Sequence, residues 1–207
     1  MPCETRLGKA TLDAVLMSSP SKLILASASP RRRQLLSEAG LAFECIESGL
    51  EEVRESHELG REYALRMAQA KALEVSRRIP DAIVIGADTI VECDGEILEK
   101  PLDPADARRM LNALSGRAHT VVTAFAIALG GEIIETEAVQ SRVFFRSLSE
   151  TEIGEYIETG EPFDKAGAYG IQGFGGGFIS KVEGPRNNVM GLPVEYVLAA
   201  LARRGAL

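Results

Sequence analysis

The chain has 207 residues, of which 45% are hydrophobic and 26% are charged. This length and balance predict one large domain with an ordinary core and exclude a disordered tail protein. The formal net charge is -7, no long basic block offsets it, and aromatic residues make up only 5% with no tryptophan. These features argue against a nucleic-acid partner, because the chain lacks both a basic face and a base-stacking platform.

Cysteine usage and hydropathy give the expected compartment. The sequence has three widely spaced cysteines, no C-x-x-C pair and two histidines, which is too little for a disulfide framework or a zinc cluster. The longest apolar run, over 124–129, is far too short to span a bilayer. Residues 1–21 lack the apolar core of a signal peptide. We therefore expect a cytoplasmic protein without a membrane partner, in which residues 1–21 form an extension before one domain over 22–207.

Strands and helices alternate in the first half of the chain. The pattern predicts a buried strand over 22–27, a helix over 30–40, a strand over 43–47, an amphipathic helix over 59–79 and a central strand over 82–87. Ser29 as N-cap and Pro30 at the first helical position begin the first helix. Asp88 and Thr89 are predicted to close the central strand, before a hairpin over 90–98 that turns at Asp94-Gly95.

The second half of the chain adds two long strands and three helices. The pattern predicts a helix over 103–114, strands over 119–129 and 132–147 joined at Gly130-Gly131, a helix over 149–159 with a capping box, and a closing helix over 193–203. Residues 161–191 are rich in glycine and lack periodicity. The whole predicts an α/β domain with a mixed β-sheet and a cleft.

Serines and arginines meet at the junction of the first strand and the first helix. Ser27 and Ser29 offer hydroxyl donors, and Arg31 to Arg33 follow directly in the first turn. Free backbone N–H groups at a helix start favour an anion, and guanidinium groups suit phosphate. Arginines oppose the helix dipole there, so three of them need a compensating anion. The pattern predicts a phosphate site that is not a P-loop; the alternative is a capped helix that shows its arginines to solvent.

Two carboxylate positions are candidates for binding a divalent cation. Asp88 is placed by the prediction at the end of a central strand, where ligands of α/β sheets collect, and Glu52 lies in the loop after the second strand. Such ions take oxygen ligands from a few carboxylates plus substrate phosphates. Two alternatives stay open at this point, since Glu51 and Glu52 also fit a solvated acidic loop and Asp88 also fits a turn former.

Three lysines and one glutamine complete the candidate residues. Lys71 borders the apolar face of its helix, Lys100 follows the hairpin, and Lys165 precedes the glycine-rich stretch; a lysine like Lys71 can also simply snorkel to solvent. Gln172 lies within that stretch, which does not match a dinucleotide-binding pattern. One amide can pair with the N3–H donor and O4 acceptor of uracil or thymine, although a glycine-rich structural turn explains the stretch equally well.

Six motifs in this order resemble the Maf family of nucleoside triphosphate pyrophosphatases, over about residues 22–203. They are LASASPRR at 25–32, GADT at 86–89, KP at 100–101, GR with HTV at 116–121, FDKAGAYGIQG at 163–173 and NNVMGLP at 187–193. The resemblance implies an α/β fold with a mixed central β-sheet flanked by helices and a deep cleft, similar to the inosine triphosphatase-like (Ham1) fold. It also implies a homodimer.

The family's activity is hydrolysis of a nucleoside triphosphate to the monophosphate and pyrophosphate with a divalent cation, Mg²⁺ or Mn²⁺. The family's proton acceptor maps to Asp88. The positions that sort its branches by base map to Arg31, Thr89 and Gln172, and this trio resembles the branch that acts on dTTP and UTP. The expected role is house-cleaning of nucleotides, including modified pyrimidine nucleotides.

The resulting hypothesis assigns a role to each candidate residue. The triphosphate lies across the helix start and contacts Ser27, Ser29, Arg31, Arg32 and Lys165; Lys71 and Lys100 neutralise its charge; Glu52 and Asp88 hold the metal and orient a water; Thr89 and Gln172 select the base. An alternative is a non-catalytic nucleotide-binding regulator of septum formation. A Ser-His-Asp hydrolase is disfavoured, because the sequence has no G-x-S-x-G.

Overall fold

A computed structural model describes residues 22–207; the extension expected over residues 1–21 lies outside the described residues. The strands of the sheet are Leu23–Leu25 (β1), Glu44–Cys45 (β2), Ile83–Cys93 (β3), Glu96–Leu98 (β4), Ala118–Leu129 (β5), Glu132–Phe145 (β6) and Ile179–Glu183 (β7). The α-helices are Pro30–Glu38 (α1), Gly60–Arg78 (α2), Pro104–Leu114 (α3), Glu150–Glu158 (α4), Arg186–Met190 (α5) and Val194–Arg203 (α6).

The strands form one mixed sheet in the order β2-β1-β3-β5-β6-β7, with β4 paired to the far end of β3. β1 runs parallel to β2 and β3, whereas β3, β5, β6 and β7 follow one another antiparallel. Helix α2 packs on β3 and β5, and buried residues of α1 and α6 join β1, β3 and β5 in a separate apolar cluster. The predicted α/β class with a mixed central sheet between helices is confirmed.

The central strand is longer than the sequence pattern indicated. The prediction that Asp88 and Thr89 close it is wrong, because β3 continues to Cys93 and Asp88 pairs with Ala124 of β5 in mid-strand. β1 accompanies β3 only as far as the pair Leu25 and Ile85. Antiparallel β5 goes on supplying backbone partners beyond that point, so polar side chains do not end the strand. Asp88 therefore lies beside the place where β1 stops, and a cleft opens there.

Helix α2 lies close to strand β3 at Gly86. A Cβ at Gly86 would overlap the backbone of Ala68 and Ala72, so only glycine lets α2 come this near to β3. Asp88 shares the face of β3 with Gly86, since alternate residues of a strand point the same way. The glycine thus brings Lys71 of α2 down onto the carboxylate of Asp88.

The glycine-rich region holds more regular structure than its sequence suggests. Short 3₁₀ turns run over Glu161–Asp164, Ala166–Ala168 and Phe174–Phe178, and they are followed by β7 and α5. Periodicity predicts neither β7 nor α5. β7 is a half-exposed edge strand next to a glycine-rich turn, so its residues show no clear alternation. Elsewhere the local signals are confirmed: Ser29 caps α1, Asp94-Gly95 turns the β3–β4 hairpin, and Ser149 with Glu152 forms the capping box of α4.

Candidate functional site

The structure has a cavity of about 640 Å³ where β1 ends and β3 continues. Every site residue predicted from the sequence lines it, and these residues come from separate stretches of the chain. They are Ser27, Ser29, Arg31, Arg32, Glu52, Lys71, Asp88, Thr89, Lys100, Lys165 and Gln172. The fold therefore brings the candidate residues together, whereas their individual roles stay predictions.

A buried lysine holds two carboxylates at the floor of the cavity. Lys71 Nζ lies 2.7 Å from Asp88 Oδ1 and 2.6 Å from Glu52 Oε1, and Lys71 and Asp88 are 6% and 5% exposed. The interpretation of Lys71 as a snorkelling lysine is thus wrong. Glu51 and Glu52 are both exposed, as the alternative of a solvated acidic loop predicts, but the Glu52 side chain, which is 40% exposed, also pairs with Lys71. A buried ammonium paired with a buried carboxylate is expensive to build, which makes Lys71 and Asp88 candidates for a functional role.

The two carboxylates of this cluster differ in electrostatic character. Burial raises the pKa of Asp88, and this effect outweighs the opposing charges of Lys71 and Arg32. Burial acts in the same sense on Glu52, but the charge and hydrogen bond of Lys71, helped by Lys100, hold the pKa of Glu52 below its ordinary value. Neighbouring carboxylates with opposite shifts are a common arrangement in sites that transfer protons.

The donor set of the site fits a divalent cation that arrives with its substrate. Within residues 22–207 no group of three or more His, Cys, Asp or Glu side chains is placed to hold a metal ion by itself. Glu52 and Asp88 nevertheless meet at one point, where Lys71 already places a positive charge. Mg²⁺ is commonly bound by one or two carboxylates, with substrate phosphates and water filling the remaining positions. Glu52 and Asp88 are the residues that would hold such an ion.

Both serines of the first motif lie at the helix start, and the hydroxyl of each can still donate a hydrogen bond. Ser29 Oγ accepts the backbone N–H of Arg32 at 3.4 Å, as expected for an N-cap, and Ser27 Oγ accepts the N–H of Ser29 at 3.2 Å. A hydroxyl that accepts these bonds keeps its own hydrogen for a ligand. The pair can therefore donate to an anion at the start of α1 while completing the local backbone structure.

Arg32 points inward and is held by protein groups on three sides. Its Nε donates to the carbonyl of Gly191 at 2.8 Å, Nη1 to Ser27 Oγ at 3.3 Å, and Nη2 to Thr89 Oγ1 at 3.1 Å. Burial lowers the pKa of Arg32, although Asp88 and Glu52 oppose this shift. The guanidinium thus forms a fixed positive wall of the cavity, in contrast to the solvent-exposed arginine of the alternative interpretation.

A directional hydrogen-bond chain continues from Arg32 into the core. Thr123 Oγ1 donates its hydrogen to the carbonyl of Asn188 at 2.8 Å and lies 3.0 Å from Thr89 Oγ1. Because a guanidinium only donates, Thr89 accepts from Arg32, and the hydrogen of Thr89 is left for Thr123 Oγ1 or for the carbonyl of Gly191 at 3.5 Å. Of the two arginines, it is therefore Arg32 that Thr89 fixes in place.

Arg31 instead reaches across the cleft to the opposite wall. Its Nη1 lies 3.0 Å from Asp164 Oδ2, and Lys165 Nζ lies 2.6 Å from Asp164 Oδ1 and donates to the carbonyl of Glu161 at 2.6 Å. Burial opposes ionisation of Asp164, but these two cations lower its pKa. Sequence reasoning missed Asp164 and Glu161; Asp164 stands within the motif that supplies Lys165, and Glu161 precedes that motif by two residues.

Gln172 and Lys100 occupy the rim of the cavity. Both side chains are exposed. The charge of Lys100 lowers the pKa of Glu52, which places Lys100 on the side of the paired carboxylates. Gln172 lines the cavity from the segment after Tyr169 and Gly170, which also line it.

The fold and this cavity define a class of protein: an α/β protein with a cationic cleft and a buried lysine–aspartate pair at its floor. Residues 22–204 match the family model described as Maf-like protein, and the chain belongs to this family. The resemblance drawn from the six motifs is confirmed.

Similar proteins of established name cover nearly the whole chain. A protein of Geotalea uraniireducens named dTTP/UTP pyrophosphatase is 50% identical over 193 residues, which is 93% of this chain and 100% of the relative. Proteins of the same name from Shewanella denitrificans and Shigella sonnei are 47% and 45% identical, covering 86% and 90% of this chain and 94% and 95% of theirs.

Two solved structures show partial similarity to this chain. One is a nucleoside-triphosphatase, dITP/XTP pyrophosphatase, of Mycobacterium abscessus, with 18% identity, a TM-score of 0.38, and coverage of 60% of this chain and 74% of that one. Another is the Ham1 protein of Staphylococcus aureus, with 18% identity, a TM-score of 0.39, and coverage of 59% and 70%. At these TM-scores the overlap supports no statement about function.

Among the described residues, no helix is both long enough and apolar enough to cross a membrane.

Proposed function

We propose that this chain hydrolyses dTTP and UTP to the nucleoside monophosphate and pyrophosphate. The observation that carries the proposal is the buried Lys71–Asp88 pair, joined from the solvent side by Glu52, at the floor of an arginine-lined cavity. Relatives of this chain that carry the name dTTP/UTP pyrophosphatase support the choice of substrate. A buried cluster of this kind is costly to maintain without a use for it.

The triphosphate would bind along the cationic wall of the cavity. Ser27, Ser29 and the first turn of α1 present hydroxyl and backbone donors, and Arg32 is already fixed in place by Thr89 and Gly191. Arg31 and Lys165 supply further positive charge from two walls of the cleft. A fixed array of this kind stabilises charge that develops during phosphoryl transfer without reorganising, which is where most of the catalysis of such reactions arises.

Asp88 is the residue we assign to the attacking water. Its buried carboxylate can accept a proton from that water, and Lys71 keeps the carboxylate oriented and balances its charge. The raised pKa of Asp88 suits a group that takes up a proton from water. Glu52 and Asp88 would together hold Mg²⁺ or Mn²⁺. When bound, such an ion would neutralise phosphate charge and polarise the phosphoryl oxygen.

Gln172 is assigned to the base. Its amide can accept the N3–H of uracil or thymine and donate to O4, and its exposed position on the rim leaves room for a base to approach. Thr89 contributes indirectly, by holding Arg32. The three positions inferred from the family therefore have different roles in this proposal. Arg31 is a cation that reaches across the cleft, Thr89 holds Arg32, and Gln172 contacts the base.

A nucleotide panel tests the proposed activity. The purified chain is incubated with UTP, dTTP, CTP, ATP or GTP and Mg²⁺ or Mn²⁺, and the products are separated and quantified. We expect UMP and dTMP with one equivalent of pyrophosphate and a clear preference for these two substrates. Release of orthophosphate, or equal rates on all five nucleotides, would contradict the proposal.

The alternative, a non-catalytic regulator of septum formation, is not favoured, because binding alone does not require a buried Lys71–Asp88 pair. The cytoplasmic location, the homodimer and the house-cleaning role stay predictions.

A further inference from the structure

The sequence of the segment that carries Gln172 does little to fix the conformation of its backbone. Residues 170–176 contain four glycines, and glycine leaves the backbone more free than any other residue does. A glutamine amide can also turn over and present the opposite pattern of donor and acceptor, which suits cytosine. Selection of one pyrimidine therefore needs something that fixes this segment.

The side chain of Glu161 forms that attachment at one end of the segment. Its Oε2 accepts the backbone N–H of Phe174 at 2.9 Å, and its Oε1 accepts the N–H of Gly175 at 3.4 Å. These amides follow Gln172 by two and three residues in the chain. A carboxylate that accepts backbone N–H groups makes stronger bonds than a neutral acceptor, so Glu161 anchors the segment just beyond the base-reading residue.

Tyr156 extends the same attachment to the other end of the segment. Its hydroxyl donates to Glu161 Oε1 at 2.9 Å and accepts the N–H of Gly170 at 3.3 Å. Gly170 precedes Gln172 by two residues and Phe174 follows it by two. One carboxylate–phenol pair therefore binds the backbone on both sides of Gln172 and leaves the glutamine side chain exposed.

Packing around the carboxylate explains why glycines are needed here. A Cβ at Gly173 would overlap the Glu161 carboxylate, and a Cβ at Gly175 would lie 2.8 Å from the Tyr156 hydroxyl. The backbone of Gly173 is extended, with a φ of -102°, and the three atoms nearest to an added Cβ all belong to the Glu161 carboxylate. The segment is wrapped around Glu161 and is not merely adjacent to it.

Glu161 also determines the position of a cation of the site. Its backbone carbonyl accepts a hydrogen bond from Lys165 Nζ at 2.6 Å. The residue thus touches two predicted substrate-binding elements, one through its carboxylate and one through its carbonyl.

We propose that Glu161 is a positioning residue for base selection, which fixes the segment around Gln172 so that the amide meets uracil or thymine in one orientation. The inference rests on the proposed pyrimidine triphosphate substrate. Glu161 acts through Gln172 and takes no part in cleaving the phosphoanhydride bond.

The test measures kcat and KM for UTP and CTP, together with affinities for both nucleotides in the absence of metal. Glu161→Ala should raise the KM for UTP about tenfold and reduce the UTP:CTP ratio of kcat/KM by a similar factor. Glu161→Gln keeps one oxygen acceptor for the backbone amides and should restore most of the ratio. Glu158→Ala, an exposed residue at the end of α4, removes the same charge and should leave both constants unchanged.

Gly173→Ala keeps the proposal testable if Glu161→Ala does not fold. The added methyl group displaces the carboxylate without changing any charge, and the same loss of UTP preference is expected. An unchanged UTP:CTP ratio in both variants, in turnover and in binding, would overturn the inference. So would an equal loss of kcat on UTP and CTP with the ratio intact, which would assign Glu161 to the phosphate chemistry. Failure of the wild-type chain to cleave UTP would contradict the proposed function alone, because the binding ratio still decides the role of Glu161.

Discussion

Replacing Asp88 by asparagine should abolish turnover without destabilising the fold. The carboxylate is the assigned proton acceptor, and general acid–base groups typically contribute 10²–10⁴-fold to a rate. We therefore expect kcat for UTP to fall by at least about 100-fold. The asparagine keeps an oxygen at the position that accepts the hydrogen bond of Lys71, and Lys71 keeps Glu52 as an anionic partner at 2.6 Å.

The expected change in stability follows from the electrostatics of Asp88. Its pKa is raised because burial outweighs the charges of Lys71 and Arg32, so the fold favours the neutral form. A neutral isostere should thus leave the free energy of unfolding unchanged or increase it by up to about 1–2 kcal/mol, as is common when a strained active-site group is removed. For a domain of this size, each kcal/mol corresponds to roughly 2–4 °C in Tm.

The pH dependence gives a second check on the same variant. A carboxyl group whose pKa is higher in the folded state than in the unfolded state binds its proton longer in the fold, and ionising it costs stability as pH rises. The stability of the wild-type chain should therefore fall relative to Asp88→Asn between the ordinary range of aspartate, about 3.9, and the raised pKa of Asp88. The two proteins should be most alike at the acid end of this window.

Lys71→Met is the matched control for the electrostatic argument. It removes the cation and leaves Asp88 and Glu52 facing each other without a partner, which should cost about 3–5 kcal/mol. Stability is measured by urea denaturation, and activity is measured by release of pyrophosphate from UTP. The reasoning is refuted if Asp88→Asn loses more than about 2 kcal/mol of stability, or if its turnover stays within tenfold of wild type.

Three further outcomes are expected. Burial lowers the pKa of His119 to about 4 from 6.5, so about 3 kcal/mol of stability, present above pH 6.5, should be lost as pH falls from 6.5 to 4; a pH series of urea melts that is flat for wild type would contradict this. Thr89→Val leaves Arg32 Nη2 without its acceptor, and should cost about 1–3 kcal/mol and raise the KM for UTP severalfold, whereas Thr89→Ser keeps the hydroxyl and should behave as wild type in the same assays. A chelator should stop pyrophosphate release and added Mg²⁺ or Mn²⁺ should restore it, while nucleotide hydrolysis that persists in the chelator would exclude a metal requirement.

Local signals in the sequence were sufficient to predict the caps and turns, because each of these depends on residues close together in the chain. The cap at Ser29, the turn at Asp94-Gly95 and the capping box at Ser149 were all predicted and are all present. Each depends on hydrogen bonds or backbone angles among residues at most four positions apart. The predicted phosphate-binding corner rests on the same kind of local signal, because a helix start with its hydroxyls and arginines is complete in one short stretch.

The extent of β3 and the existence of β7 depend on neighbours that periodicity does not reveal. Asp88 and Thr89 read as the end of a strand, yet β5 supplies backbone partners for both. β7 is short, half exposed and next to glycines, and it forms because the edge of β6 is available to pair with it. A strand is stabilised by its neighbouring strands, so its own residues do not fix where it begins and ends.

By itself, the sequence determined the α/β class and the set of residues that line the cavity, and it predicted the start of α1 as an anion site. Its net charge of -7 was compatible with an anionic substrate because the cations of the site are a local set. Tertiary structure alone decided which of these residues contact one another. Arg31 meets Asp164 across 133 positions of sequence, and Arg32 meets Gly191 across 159. Contacts at that separation are set by the packing of the sheet, which no local pattern encodes.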